Sequence, residues 1–282
     1  MSLWREEALT LLDAFEIIRE RLEKRLSQSS SLVIGLSGPQ GCGKSTVSAK
    51  LKEHFGAECA VLGLDDFYLA KAEREQLGQA VSPLFETRGP PGTHDIGFLT
   101  LQLDALLSPN SVLPVFVPRF DKTNDDRRPK ASWFTVESRP SLIIIEGWCV
   151  GAIPSPDFCT AAPLNGAERR DQSGAWRKYQ QAQLEDPYSK LWDRIDIFFH
   201  FDAPSFETVL EWRLEQEAGN LSVGATDLDS SHRQWVREFI QHYERLSRSM
   251  AAGYRRQGMV LKLNSARGVV AVEDTETFQS AR

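Results

Sequence analysis

Apolar residues along this chain fall into short, nearly continuous runs separated by longer polar stretches. The runs at 32–36, 60–64, 141–145, 195–201 and 259–263 each predict a strand. Because the runs are mostly apolar at successive positions rather than alternating, both faces of each strand are expected to be buried, as in a parallel sheet covered by helices. The predicted fold class is therefore α/β, a three-layer α/β/α arrangement around a mainly parallel sheet.

The remaining pattern predicts how the chain is divided. Apolar positions spaced among charges over 3–26 predict an amphipathic helix, and a polar linker follows at 27–31. We predict an N-terminal helix and linker over 1–31 and one domain with loop insertions over 32–282. The insertions are polar and rich in Gly and Pro, and are expected to be loops at the site or surface excursions: 82–95, 118–130 and 151–175.

Composition narrows the class of protein. The 282 residues carry a net charge of −6 and contain no dense cluster of Lys or Arg, which argues against a nucleic-acid partner. No apolar run approaches the ~20 residues that a membrane span needs, and no signal or transit peptide is recognisable. The four cysteines show no C-x-x-C spacing, which predicts free thiols and a cytoplasmic setting. The sequence gives no indication of the oligomeric state.

Residues 38–45 match the phosphate-loop pattern G-x-x-x-x-G-K-[ST] between a predicted strand and a predicted helix. In such a loop, backbone N–H groups surround the β-phosphate of a nucleoside triphosphate. Lys44 is expected to neutralise phosphate oxygens, and the Ser45 hydroxyl to ligate Mg²⁺. The alternative is a glycine-rich turn that matches by chance. The predicted nucleotide-binding residues are Gly38, Pro39, Gln40, Gly41, Cys42, Gly43, Lys44, Ser45 and Thr46.

Acidic residues follow two of the predicted strands. Glu146 follows the run 141–145, where it is expected to hold Mg²⁺ directly or through water, or else to cap a helix. Asp65 and Asp66 end the run 60–64. One of them is expected to accept the proton of a substrate hydroxyl while the other faces metal or a helix; the alternative is a pair of N-caps. Ligands of parallel sheets bind at the carboxyl ends of the strands, so these acids should lie near Lys44.

Together, these motifs resemble the D-glycerate 3-kinase family, which is grouped with phosphoribulokinase, uridine kinase and pantothenate kinase. The resemblance extends from about residue 32 to the C-terminus and rests on 38–45, 65–69, 88–95, 118–122 and 146–148. It implies an ATP- and Mg²⁺-dependent kinase that phosphorylates a hydroxyl of a small carboxylated acceptor, with D-glycerate as the expected substrate. The alternatives are a nucleoside, sugar phosphate or pantothenate as acceptor, or a non-catalytic ATP-binding regulatory protein.

The resemblance also implies roles for individual residues. Asp65 would be the catalytic base and would complete the metal site with Ser45 and Glu146, while Lys44 and a lid arginine, Arg213, would neutralise phosphate charge. The implied acceptor-binding residues are Asp66, Tyr68, Arg88, His94, Asp95 and Arg127.

Some of these positions have simpler interpretations. Arg213 could pair with Glu217 one helical turn later. Arg127 could belong to a solvated charge run. Lys122, which follows a strand predicted over 112–117, could reach a phosphate or carboxylate, or form a salt bridge with Asp121. Nucleobase preference is expected to depend on a loop around 264–267.

Overall fold

The protein is described by a computed structural model of residues 13–275, built around a central six-stranded sheet. The strands of all three sheets, in chain order, are β1 (Leu32–Ser37), β2 (Cys59–Gly63), β3 (Val115–Val117), β4 (Phe120–Asp121), β5 (Asp126–Arg127), β6 (Phe134–Val136), β7 (Leu142–Gly147), β8 (Ile197–Asp202), β9 (Met259–Leu263) and β10 (Val269–Asp274). The central sheet has the order β10-β9-β8-β1-β7-β2, and its pairs are parallel except for β10 with β9. The predicted mainly parallel sheet is confirmed.

Helices cover both faces of this sheet. They are α1 (Ala14–Leu26), α2 (Lys44–Phe55), α3 (Lys71–Ala80), α4 (Ile96–Leu107), α5 (Gly166–Arg170), α6 (Ala175–Gln183), α7 (Ser189–Trp192), α8 (Phe206–Asn220) and α9 (Ser230–Ala251). Successive side chains of a strand point to opposite faces, and in β7 Ile143 and Ile145 enter one core while Leu142 and Ile144 enter the other. The near-continuous apolar runs therefore reflect burial on both faces.

The N-terminal helix packs into one of these cores. Asp13 caps α1 by accepting a hydrogen bond of 2.9 Å from the Phe15 N–H, and Ile18 and Leu22 are fully buried beside Leu51 of α2. The first part of the predicted helix, residues 3–12, lies outside the described residues, and the division at residue 31 stays a prediction. Among the residues described, no helix has the length and apolar character that crossing a membrane requires.

The sequence pattern was less informative at the periphery. The strand predicted at 112–117 is shorter, because β3 begins after Pro114, which has no N–H to donate, and it pairs with β6 in a separate small sheet. The edge strand β10 was not predicted, since its apolar residues Val270 and Val272 are exposed and alternate with small or charged ones. The loop predicted at 118–130 contains the hairpin of β4 and β5.

The strand order positions the site. Strand β7 lies between β1 and β2, and Glu146 on β7 is in register with Leu36 on one side and Gly63 on the other. The phosphate loop follows β1, and Asp65 comes just after β2, in a 3-10 helix at Leu64–Phe67. The parallel topology thus brings these groups to one edge of the sheet.

Candidate active site

The phosphate loop turns tightly between β1 and α2. Gly41 has a φ of +74°, and a Cβ at this position would lie 2.7 Å from the Cβ of Trp212 on α8, so the loop requires glycine here. Lys44 is buried, and its Nζ donates to the carbonyl oxygens of Gly38 at 2.7 Å and Pro39 at 2.9 Å. The lysine is therefore held across the loop by main-chain dipoles.

The metal-site residues of the prediction lie together. Ser45 Oγ donates to Glu146 Oε1 at 3.1 Å, and a Cβ on Gly63 would lie 3.7 Å from the same carboxylate oxygen. Burial raises the pKa of Glu146, Lys44 opposes this effect, and the nearby charge of Asp65 adds to it. A hydroxyl and carboxylates beside a phosphate loop are the oxygen ligands that Mg²⁺ prefers, so these residues fit the ion.

Asp65 is held from two sides. Its Oδ2 accepts from Lys122 Nζ at 2.7 Å, and its Oδ1 accepts from the Tyr68 hydroxyl at 2.8 Å. Burial by itself would raise the pKa of Asp65, but the Lys122 ammonium and the Tyr68 hydroxyl hold it well below its usual range. Lys122 does not pair with Asp121, whose carboxylate instead accepts the N–H groups of Thr123 and Asn124.

Asp66 faces the hairpin of β4 and β5. Its Oδ1 accepts from the Phe120 N–H at 3.1 Å, and its Oδ2 accepts from Arg119 Nη1. The adjacent acids Asp65 and Asp66 therefore point in different directions, and neither is the N-cap of the 3-10 helix, which is Gly63. A substrate contact by Asp66 stays a prediction, since both of its oxygens already hold the hairpin.

Arg88 and the buried Arg74 share one carboxylate. Arg88 Nη1 donates to Asp125 Oδ1, and Arg74 Nη2 lies 2.9 Å from Asp125 Oδ2. Arg74 also donates to the carbonyl oxygens of Asp125 and Glu86, both at 2.7 Å. These bonds connect three parts of the chain: helix α3, the segment around Glu86, and the hairpin of β4 and β5. They therefore fix the shape of the predicted acceptor side.

His94 is buried and neutral. It stacks on Tyr68 with ring centroids 4.6 Å apart, and burial lowers its pKa to about 3. The Gly92 N–H donates to the Tyr188 hydroxyl at 3.0 Å, and that hydroxyl lies 2.6 Å from His94 Nδ1. When the Tyr188 hydroxyl donates to His94 Nδ1, the neutral ring carries its proton on Nε2. Within the described residues, His94 Nε2 has no hydrogen-bond partner.

Arg127 and Asp95 lie beside this ring. Arg127 Nη2 donates to the Tyr68 carbonyl oxygen at 3.0 Å and lies 3.4 Å from Asp95 Oδ2, while Asp95 Oδ1 caps α4 by accepting from the Phe98 N–H at 3.0 Å. The Arg127 side chain is 21% exposed, so it is held by protein groups rather than solvated as part of a charge run.

Arg213 projects from α8 toward α9. Its guanidinium donates to Glu217 Oε2 at 3.0 Å and lies over the rings of Trp235 at 5.7 Å and Phe239 at 5.5 Å. The pairing one helical turn away, which the sequence left open, is therefore present. The Phe239 ring in turn packs against Tyr243, with ring centroids 5.1 Å apart, and the Tyr243 hydroxyl donates to the Arg88 carbonyl oxygen at 2.9 Å, so this arginine belongs to the same region.

Two of the three predicted insertions contribute residues to the site, and the third does not. Segments 82–95 and 118–130 supply Arg88, His94 and Lys122, whereas 151–175 packs against α9, where Glu168 accepts from Arg245 Nε at 2.7 Å. The 264–267 loop reaches the nucleotide end, where Arg267 Nε donates to the Gly41 carbonyl oxygen at 2.6 Å.

The sequence did not predict several residues that shape the site. No motif contains Asp125, Tyr243 or Arg74, and only contacts between distant segments reveal them.

Two cavities adjoin the site. One of about 410 Å³ borders Arg88, and one of about 230 Å³ borders Pro39 of the phosphate loop.

Comparisons with known proteins show which proteins the chain resembles. No protein-family model matches the chain. It is 30% identical over 250 residues to the uncharacterized kinase mug58 of Schizosaccharomyces pombe, covering 82% of this chain and 87% of the relative. It is 31% identical over 230 residues to the chloroplastic D-glycerate 3-kinase of Arabidopsis thaliana, covering 75% of this chain and 46% of that protein.

A solved structure that is similar to this chain carries the same name as one of the sequence relatives. The D-glycerate 3-kinase of Cryptococcus neoformans superposes with a TM-score of 0.72 at 25% identity, covering 92% of this chain and 97% of that one. The fold, the phosphate loop and these relatives identify a kinase, and the chain belongs to the D-glycerate 3-kinase family of P-loop kinases.

Proposed function

We propose that this kinase transfers the γ-phosphoryl group of ATP to a hydroxyl of a small hydroxy acid, with D-glycerate as the acceptor and 3-phosphoglycerate as the product. The observation that carries the proposal is the position of Asp65, a carboxylate at the same sheet edge as the phosphate loop, with Glu146 between them. Relatives from a plant and a fungus that are named D-glycerate 3-kinase support the choice of acceptor.

The nucleotide end is suited to ATP with Mg²⁺. Lys44 would exchange its carbonyl partners for phosphate oxygens, and Ser45 and Glu146, with Asp65 nearby, would hold the ion. Bound Mg²⁺ would neutralise charge on the phosphate oxygens.

The transfer step has three parts. The acceptor hydroxyl oxygen forms a bond to the γ-phosphorus, the bond from that phosphorus to the ADP oxygen breaks, and the hydroxyl proton passes to Asp65. Phosphoryl transfer places charge on the phosphoryl oxygens, which cations positioned in advance stabilise. We assign that role to Lys44 and to Arg213, which would leave Glu217 to reach the phosphate.

The acceptor end is suited to a small acid. Arg127 and Arg88 supply guanidinium groups for a carboxylate, and His94 offers an uncharged Nε2–H donor. The neutrality of His94 means that it would recognise an oxygen atom by a hydrogen bond, so the positive charge must come from the arginines. Tyr68 places these groups beside the base. We also expect a cytoplasmic setting, because all four cysteines are free thiols.

The test is ADP release coupled to a spectrophotometric assay with ATP and Mg²⁺. The acceptors are D-glycerate, L-glycerate, pantothenate, uridine and ribulose 5-phosphate, each beside a reaction without acceptor. We expect ADP release that depends on D-glycerate, with 3-phosphoglycerate identified by phosphorus NMR. Turnover with another acceptor would support the kinase assignment but identify a substrate other than D-glycerate. The same slow rate in every reaction would contradict the glycerate assignment and favour a nucleotide-binding regulator.

A further inference from the structure

Lys122 is fixed in position by the hairpin that carries it. The backbone on one side of it is held by Asp66 through the Phe120 N–H, and the backbone on the other side by Arg74 through the Asp125 carbonyl oxygen. Main-chain bonds between β4 and β5 close the hairpin. The ammonium of Lys122 therefore reaches Asp65, 57 positions earlier in the chain, because the fold aims it there.

This ion pair conflicts with the proposed chemistry unless it changes. A carboxylate held by an ammonium at 2.7 Å binds a proton weakly, and a general base must take one up. Glu146, the acid of the metal site, lies at the same edge of the sheet, in register with Gly63 of the strand that precedes Asp65. Through its contact with Asp65, the Lys122 ammonium lies at this edge of the sheet, where bound phosphate oxygens would compete for it.

We infer that Lys122 is a catalytic residue that shares its ammonium between Asp65 and the γ-phosphoryl oxygens when ATP is bound. The inference rests on the proposed function, which makes Asp65 the base. An ammonium has three N–H donors, and among residues 13–275 one of those of Lys122 is used, on Asp65. The remaining donors are available to a phosphate oxygen.

The shared ammonium would link the two halves of the reaction. As the acceptor oxygen bonds to the γ-phosphorus and the bond to the ADP oxygen breaks, negative charge on the phosphoryl oxygens draws Lys122 toward them. The hold on Asp65 weakens at the same moment as the hydroxyl proton arrives there, and that proton later passes to solvent. Before ATP binds, Lys122 holds the Asp65 carboxylate in place.

The test compares nucleotides that differ in the γ-phosphate. We would titrate Lys122→Met with Mg²⁺ and a non-hydrolysable ATP analogue, and separately with Mg²⁺ and ADP, by calorimetry. We expect the affinity for the analogue to fall at least tenfold while the affinity for ADP changes less than twofold. Lys122→Arg should recover most of the loss, because it keeps a cation.

Lys190→Met is the matched control. Lys190 also pairs with an aspartate at 2.7 Å, but on the surface of the protein, 74% exposed. It should bind both nucleotides as the wild type does. Since Lys122 is itself 57% exposed and methionine keeps the apolar stem, the variant should fold, which its thermal melt would verify.

The outcomes separate this inference from the proposed function. Equal affinities of Lys122→Met and wild type for the analogue, or equal losses for both nucleotides, would overturn the role of Lys122 while leaving wild-type binding and turnover intact. A wild-type protein that binds neither nucleotide would remove both proposals, and the wild-type titration alone would show it.

Discussion

Positive charge is held differently at the two ends of the site. At the nucleotide end, Lys44 is held by the main-chain carbonyl oxygens of Gly38 and Pro39, and no ion pair joins it to a carboxylate in the described part of the chain. At the acceptor end, three cations have carboxylate partners: Arg88 with Asp125, Arg127 with Asp95, and Lys122 with Asp65.

The difference has a physical consequence. A carbonyl oxygen that loses its hydrogen bond from a lysine is left without net charge. The phosphate oxygens of ATP can therefore replace the carbonyl oxygens as partners of Lys44 at little electrostatic cost. A carboxylate that loses its arginine or lysine is left as an unpaired anion, and the entering group must compensate. Which acceptor binds should therefore depend on which of these carboxylates can lose its cation partner to the acceptor. We accordingly expect the acceptor end to determine substrate specificity.

The largest effect should come from the ion pairs that build the acceptor end. Arg74→Met removes a fully buried guanidinium and leaves the carbonyl oxygens of Asp125 and Glu86 without their donor. We expect the free energy of unfolding to fall by about 3 to 4 kcal/mol, measured by urea denaturation.

Arg194→Met is the control for Arg74→Met. Arg194 pairs with Asp104 at 2.8 Å where both side chains are exposed, so its loss should cost under about 1 kcal/mol. Equal costs for the two variants would show that the acceptor-end pairs do not hold the fold.

Asp65→Asn should lower turnover without weakening nucleotide binding, which would distinguish the roles of the two ends of the site. Asparagine cannot accept the hydroxyl proton, so turnover should fall by about 100-fold, equivalent to about 2.7 kcal/mol in the barrier, while nucleotide affinity changes little. Lys44→Met should instead weaken nucleotide binding. Steady-state rates and titrations of both variants test this, and near-normal turnover in Asp65→Asn would exclude it as the base.

His94 should give the smallest of the three effects, and it should depend on pH. In the unfolded chain this imidazole takes up a proton near its ordinary pKa of 6.5, whereas folded His94 does so only near pH 3. Stability from this group is therefore complete above pH 6.5 and lost as the pH falls below it, by about 2 kcal/mol at pH 5.

The corresponding measurement is urea denaturation at pH 7.5 and pH 5. His94→Gln should lose less stability between these pH values than the wild type does. His200→Gln should change in the same direction, because burial also lowers the pKa of that imidazole. An unchanged pH dependence in His94→Gln would mean that His94 titrates normally when folded.

Much of the fold could be read from local patterns. The apolar runs located the central strands apart from β10, and the position of Glu146 and Asp65 after two of them placed both acids at one edge of the sheet. The pattern failed for β10 and misjudged the extent of β3, because exposed edge strands and short peripheral pairs lack continuous apolar runs.

The sequence by itself determined the parallel sheet, the phosphate loop and the acids at the strand ends, since each depends on neighbouring residues and on the direction of a strand. Only the tertiary structure decided which carboxylates hold Arg88, Arg127 and Lys122, and that His94 is neutral. Lys122 meets Asp65 across 57 positions, and His94 meets Tyr188 across 94. These ion pairs and the burial of His94 arise from contacts between distant segments, so no local pattern specifies them.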